Sequence, residues 1–271
     1  MLEPILKLFP LWLIGLILIA ACLFASEAGR FVHRRNVRRN PKAQRKEKSD
    51  SEGYIIGAIF GLLAFVIGLT FSIAVDRFDD RRAWVAQEAT AINTAFLRAS
   101  LFDEPYCSRL QLTLREYART RIAPNGRWDD KMDRQVKRSH ELRQTLWDET
   151  HAAVYPVRTT ELGSSLLEAI GDTLTVGTRR ELSGQAHIPN RIFNALLLYL
   201  LVASAVLGYL MGDETGRMRT ATALLFALFA AAIILILDLD SPRAGSIQVS
   251  QQSLEALLAN LDRVDLPMCR R

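Results

Sequence analysis

Four stretches of almost unbroken apolar residues mark the chain, at about Ile5–Ala25, Tyr54–Val75, Ile192–Met211 and Ala221–Leu237, two on either side of a long charged middle. Each has the roughly 17–25 residues that a helix needs to cross the hydrocarbon core of a bilayer. No water reaches backbone amides there, so such a segment must be helical and satisfy its own hydrogen bonds. The pattern predicts an all-α membrane protein: four transmembrane helices in two pairs, with a helical extramembrane domain between spans two and three. The divisions it suggests are span 1 over 1–25, an Arg/Lys-rich loop over 26–53, span 2 over 54–75 and the helical domain over 76–187. Span 3 follows over 188–211, a short loop over 212–220, span 4 over 221–239, and a tail with a short helix over 240–271.

Helical periodicity continues past span 2. Phe78, Val85, Ala89, Ile92, Phe96 and Ala99 recur at steps of three, four and seven, with no Gly or Pro between Asp76 and Phe102. One long helix is therefore expected to leave span 2 and enter the middle domain. Three more are expected at about Tyr106–Ile122, Asp129–Val154 and Thr159–Leu182, punctuated by Pro124-Asn125-Gly126 and Pro156. In the tail, Ile247–Ser250 is the only short alternating stretch. Ser253 is a candidate cap for a closing helix, whose Leu254, Leu257, Leu258 and Leu261 form an apolar stripe. That stripe needs a partner, in the middle domain or at the bilayer surface.

Charge adds an orientation. The formal net charge is +5, but Arg30, Arg34, Arg35, Arg38, Arg39, Lys42, Arg45, Lys46 and Lys48 crowd behind span 1. Such a run can bind nucleic acid. With no aromatic interleaving and no nucleic-acid fold beside it, it reads instead as a stop-transfer flank and an orientation signal, and no nucleic-acid partner is expected. Loops 26–53 and 212–220 share a side in a four-span topology, and Arg217 and Arg219 add to its charge. The positive-inside rule puts that side in the cytoplasm and the middle domain outside. Cys22, Cys107 and Cys269 give neither a CxxC spacing nor a disulfide framework, so they carry no redox argument.

Span 2 is the least ordinary helix. Gly57, Gly61, Ala64, Gly68 and Ser72 fall at steps of three and four. Small residues at that spacing let helices approach closely, or widen a passage if they line a pore. Phe60, Ile67 and Phe71 lie largely on other faces and are candidates for a hydrophobic gate. Asp76, Arg77 and Arg81, at the exit, are either a solvated helix rim or charges at a pore mouth. Asp238 and Asp240 end span 4 before Pro242, Arg243 and Gly245. An acid at the membrane is a functional candidate, and the alternative is a turn pinned by pairing with Arg243.

No enzyme emerges. His33, His140, His151 and His187 are far apart, and no G-x-S-x-G, Walker-type loop or HExxH occurs. No metal or cofactor is expected. Glu88, Glu116, Glu141 and Glu149 sit among arginines, as solvated helix faces do.

Several segments are specific in combination: Asp238-Leu239-Asp240-Ser241-Pro242-Arg243-Ala244-Gly245-Ser246-Ile247-Gln248-Val249; Gly61–Arg82 with Leu69-Thr70-Phe71-Ser72 and Asp76-Arg77; Glu88–Ala99; and Ile188-Pro189. Together they resemble the bestrophin-like family of bacterial membrane proteins, over Tyr54 to about Leu258 and without the Arg-rich loop. The resemblance implies a multi-pass protein of the bacterial inner (plasma) membrane. Bestrophins are pentameric anion channels with four spans per subunit, a pore lined by the second span and a cytosolic helical region. The expected function is an oligomeric, channel-like protein passing small ions, anions first, through a pore lined by span 2. Its expected partners are the lipid bilayer, small anions and further copies of itself. The alternative is a non-conducting sensor or scaffold acting through the helical domain. The likeness would put that domain in the cytosol, the charge pattern outside.

Overall fold

The computed structural model describes residues 10–39, 50–122, 130–211, 216–241 and 246–263. Among these, eight α-helices account for the regular structure, with one short 3-10 turn at Tyr155–Val157. They are α1 (Leu11–Arg39), α2 (Asp50–Ala99), α3 (Tyr106–Arg121), α4 (Asp130–Val154), α5 (Glu161–Gln185), α6 (Asn190–Leu210), α7 (Gly216–Asp240) and α8 (Gln252–Arg263). Among the described residues, four stretches are long and apolar enough to cross a membrane, within Leu11–Arg39, Gly53–Ala99, Glu161–Leu210 and Arg219–Asp240. The continuous helix expected beyond span 2 is present. At 50 residues, α2 has more than twice the length that a bilayer requires.

The segment 26–53 is not a loop over its described parts: α1 runs on to Arg39 and α2 begins at Asp50. Charged side chains on a solvated helix do not break it, since arginine is a good helix former.

The chain divides into two compact units. The first, Met1–Asp76 with His187–Ile247, contains α1, the first part of α2, α6 and α7. Here α1 packs against α6 and α7. Its inward line is Gly15, Leu18, Cys22, Ser26 and Gly29. A Cβ on Gly29 would stand 2.0 Å from the Ala205 carbonyl oxygen, and one on Gly208 would stand 2.0 Å from that of Ser26. The two backbones therefore touch where α1 crosses α6, which only glycine permits. The part of α2 in this unit buries Leu63, Ile67, Thr70 and Ala74. The Tyr199 hydroxyl donates to the Ile59 carbonyl at 3.1 Å, and Phe60 stacks on Phe229 with centroids 5.6 Å apart.

The second unit, Arg77–Ala186 with Gln248–Arg271, is built around a helical core. Ile92 and Phe96 of α2 meet Leu110, Leu114 and Tyr117 of α3, Leu146 of α4, and Leu166 and Ile170 of α5, all essentially inaccessible. The tail supplies the rest of that core: Leu254, Leu257 and Leu261 of α8 are buried in it. Arg119 pairs with Asp262 at 2.8 Å, and Arg115 donates to the Leu261 carbonyl. The apolar tail stripe thus packs on the middle domain. The helix is entered through Gln251 and Ser250 rather than capped by Ser253: Leu254 N donates to the Gln251 carbonyl at 3.0 Å, and Gln252 N to the Ser250 hydroxyl at 3.3 Å. Residues 248–250 form no strand. Cys107 is fully buried and disulfide-bonded, whereas Cys22 in α1 is free. Cys269 lies outside the described residues.

Candidate functional site

The small-residue row of α2 lies on an open face among the described residues. Gly57, Gly61, Ala64, Gly68 and Ser72 are all exposed, and a Cβ built on any of the three glycines meets nothing within 4 Å. The contrast with Gly29 and Gly208 is direct, for there the same addition collides with backbone. Within one chain, close helix approach is the work of α1 and α6, and the α2 row faces outward.

The three gate candidates, at steps of seven and four, lie along one side of α2 but are covered to different degrees. Ile67 is 8% exposed and faces the first unit's interior; Phe60 is half-buried against Phe229; Phe71 is 38% exposed.

At the exit, Asp76 is exposed and Arg77 half-buried. Arg81 is different. It is buried, and its guanidinium donates to the Ser183 carbonyl at 3.3 Å and to the Ala186 carbonyl at 2.8 Å. These groups lie at the C-terminal end of α5, whose last carbonyls lack intrahelical donors and carry partial negative charge. Arg81 closes that helix end.

Asp238 and Asp240 are both buried and both hold backbone. Asp238 accepts from the Ser246 amide at 2.6 Å and the Ser246 hydroxyl at 2.5 Å. Asp240 accepts from the Ile188 amide at 3.0 and 3.1 Å. The end of α7 is thereby tied forward to the chain beyond it and sideways to the approach to α6. Pro242, Arg243 and Gly245 lie outside the described residues.

One cluster went unseen in the sequence. Glu88, read there as part of a solvated face, is fully buried in the second unit. It accepts from Arg121 Nε at 2.6 Å, Arg180 Nη1 at 2.6 Å and the Tyr117 hydroxyl at 3.3 Å. Arg121 also reaches Glu181 at 2.5 Å, and Glu181 accepts from Arg143 at 3.2 Å. Burial raises the Tyr117 phenol pKa, with Arg121 opposing. Burial alone would disfavour the Arg121 cation, but Tyr117, Glu88 and Glu181 around it more than offset this and raise its pKa. Gly177 makes room for the cluster, since a Cβ there would lie 2.5 Å from the Tyr117 oxygen. Every charge has hydrogen-bonded partners, so the cluster's evident work is to fix α2, α3, α4 and α5 in one arrangement. Its signal was positional: Glu88 lies on the same helical stripe as Val85, Ala89 and Ile92. Glu116 and Glu141, by contrast, are solvated and pair with Arg138, as expected.

No curated protein and no solved structure matches the chain. The family model described as bestrophin-like domain matches residues 10–254, and so takes in α1 and its basic end, which the sequence resemblance had left out. Four apolar helical stretches together with this match make the protein a multi-pass membrane protein of channel-like type. With the match running over nearly the whole of its length, the chain belongs to the bestrophin-like family.

Proposed function

We propose that the protein is a homo-oligomeric channel passing small ions, with the α2 row Gly57, Gly61, Ala64, Gly68 and Ser72 turned toward the axis between copies. The observation that carries this reading is the row itself, small, exposed and with glycines that no other described residue approaches. Small side chains on a helix that faces an axis leave room for a passage. Anions are the cargo that the bestrophin likeness implies. Asp76 and Arg77 are the exit charges free to face such a passage, since Arg81 is committed to α5.

The test is recording of the purified protein in planar bilayers under asymmetric chloride, for the native chain and for Gly68→Trp and Ser72→Trp. A reversal potential that tracks chloride, abolished by either tryptophan while the oligomer persists, supports the pore. Unchanged conductance in both variants sinks the α2 assignment. Silence from well-folded oligomers leaves the sensor or scaffold reading.

The same proposal includes an orientation in the bacterial inner membrane. The basic end of α1 lies in the cytoplasm, and the second unit lies on the opposite, oxidising side. Charge bias supports this, and so does the disulfide at Cys107, because disulfides persist outside the reducing cytosol. Reporter fusions at the C-terminus check it: alkaline phosphatase activity there is expected, and cytoplasmic-only fluorescence would reverse the assignment.

A further inference from the structure

The exposed line of α1 changes character along its length. Phe24, Phe31, Arg35 and Arg38 follow one another at steps of seven, four and three, so they lie along one side of the helix. Phe24 is 78% exposed and Phe31 66%. Arg35 and Arg38 are exposed too, and so are their neighbours Arg34 and Arg39. The opposite side is fixed to the bundle: His33 meets the Tyr209 ring edge-on at 5.4 Å, and Asn36 donates to the Tyr209 hydroxyl at 3.5 Å. These contacts hold the four arginines outward, on an ordered helix rather than a floppy loop.

Their depth is set by the helix. From Leu11 to Arg30 an α-helix rises about 29 Å, close to the hydrocarbon thickness of about 30 Å. Arg30 is buried and donates to Glu27 at 2.6 Å, a local pair with no net charge. Arg34 to Arg39 follow about 6–14 Å farther along. The headgroup zone is about 5–8 Å deep on each side, and arginine side chains are long enough to reach back into it.

We propose that this arginine collar, Arg34, Arg35, Arg38 and Arg39, is a binding site for anionic phospholipid headgroups. Guanidinium groups match phosphate oxygens in a two-pronged geometry. Each basic side chain near an anionic surface strengthens attachment about fivefold. The inference does not depend on whether the protein conducts.

The experiment is native mass spectrometry of the full-length protein from detergent supplied with equal phosphatidylglycerol and phosphatidylcholine. The native chain retains phosphatidylglycerol preferentially, and added salt erodes the preference. Changing all four arginines to Gln lowers that retention by at least about tenfold without changing the melting temperature. Arg→Lys at the same four positions keeps most of it. A charge control on the second unit, Arg134→Gln with Lys137→Gln, leaves it intact. Equal retention of the two lipids, or undiminished phosphatidylglycerol on the four-Gln chain, overturns the proposal. So does preferential capture of a DNA or RNA oligonucleotide from the same mixture, which would assign the collar to nucleic acid.

Discussion

Asp240 receives the backbone amide of Ile188 on both carboxylate oxygens, at 3.0 and 3.1 Å. The residues are far apart in sequence, yet each belongs to a segment that carries the family likeness, Ile188-Pro189 before α6 and Asp238-Leu239-Asp240-Ser241 at the end of α7. The bond gives those motifs a common purpose. It satisfies a buried amide just before a helix, where no turn of that helix can reach it. Asp240→Ala is expected to lower stability by about 1.5–3 kcal/mol, the range for a hydrogen bond to a charged group. Asp240→Asn, which keeps an acceptor, should lose less. Thermal melts in one detergent compare them, and an unshifted Asp240→Ala melt would show that the tie is dispensable.

Glu88 is the hub of the buried cluster in the second unit. Removing it strands Arg121 and Arg180, both mostly buried, without their shared carboxylate. Breaking a buried pair in this way costs about 3–5 kcal/mol. Glu88→Ala should therefore melt well below the native chain, with Glu88→Gln between them. The readout is circular dichroism of the full-length protein against temperature, and equal melts for all three would contradict the role given to the cluster.

Glycines of α6 and α2 should respond oppositely to the same change. Gly208→Ala forces the α1 and α6 backbones apart at Ser26, at a cost of about 1–3 kcal/mol. Gly68→Ala meets nothing among the described residues and replaces a helix-interior glycine, so it should raise stability by about 0.5–1 kcal/mol. If the α2 row packs tightly between copies, Gly68→Ala will instead weaken the oligomer, which size-exclusion with light scattering would detect.

Glu149 gives the second unit a pH dependence. Burial raises its pKa, against the opposing effects of a hydrogen bond with Thr113 and the charge of Arg109. One of its oxygens, Oε2, is buried with no hydrogen-bond partner. The folded chain therefore holds this proton more tightly than the unfolded chain does. Its contribution is most favourable at acid pH and is lost as pH rises through the ordinary carboxylate value and the raised folded one. Relative to the native chain, Glu149→Gln should gain stability between pH 4 and pH 8. Melts at the two pH values test this, and a constant difference would refute it.

Much of this architecture was legible because hydrophobic period is a strong signal over long segments. The stripe Val85, Ala89, Ile92, Phe96 announced the second part of α2, and the leucines of α8 announced a helix in need of a partner. What escaped notice has physical causes. The basic run hid the continuation of α1, which stays helical to Arg39. Glu88 and Arg81 look like surface residues one at a time, and only their partners on other helices make burial tolerable. The visible glycine row on α2 meets no partner among the described residues. Gly29 and Gly208, which do touch a neighbouring helix, stand far apart in sequence and show no shared pattern until the helices are brought together.

The seating of α8 in the second unit has a consequence for synthesis. Leu254, Leu257 and Leu261 complete a core whose other members leave the ribosome long before them, with α6 and α7 made in between. A nascent chain therefore carries an unfinished, apolar-faced domain through the insertion of α6 and α7. Closure waits for α8. A premature stop ahead of Gln252 would leave the four membrane-crossing helices described above in place and still present the quality-control machinery with an open core.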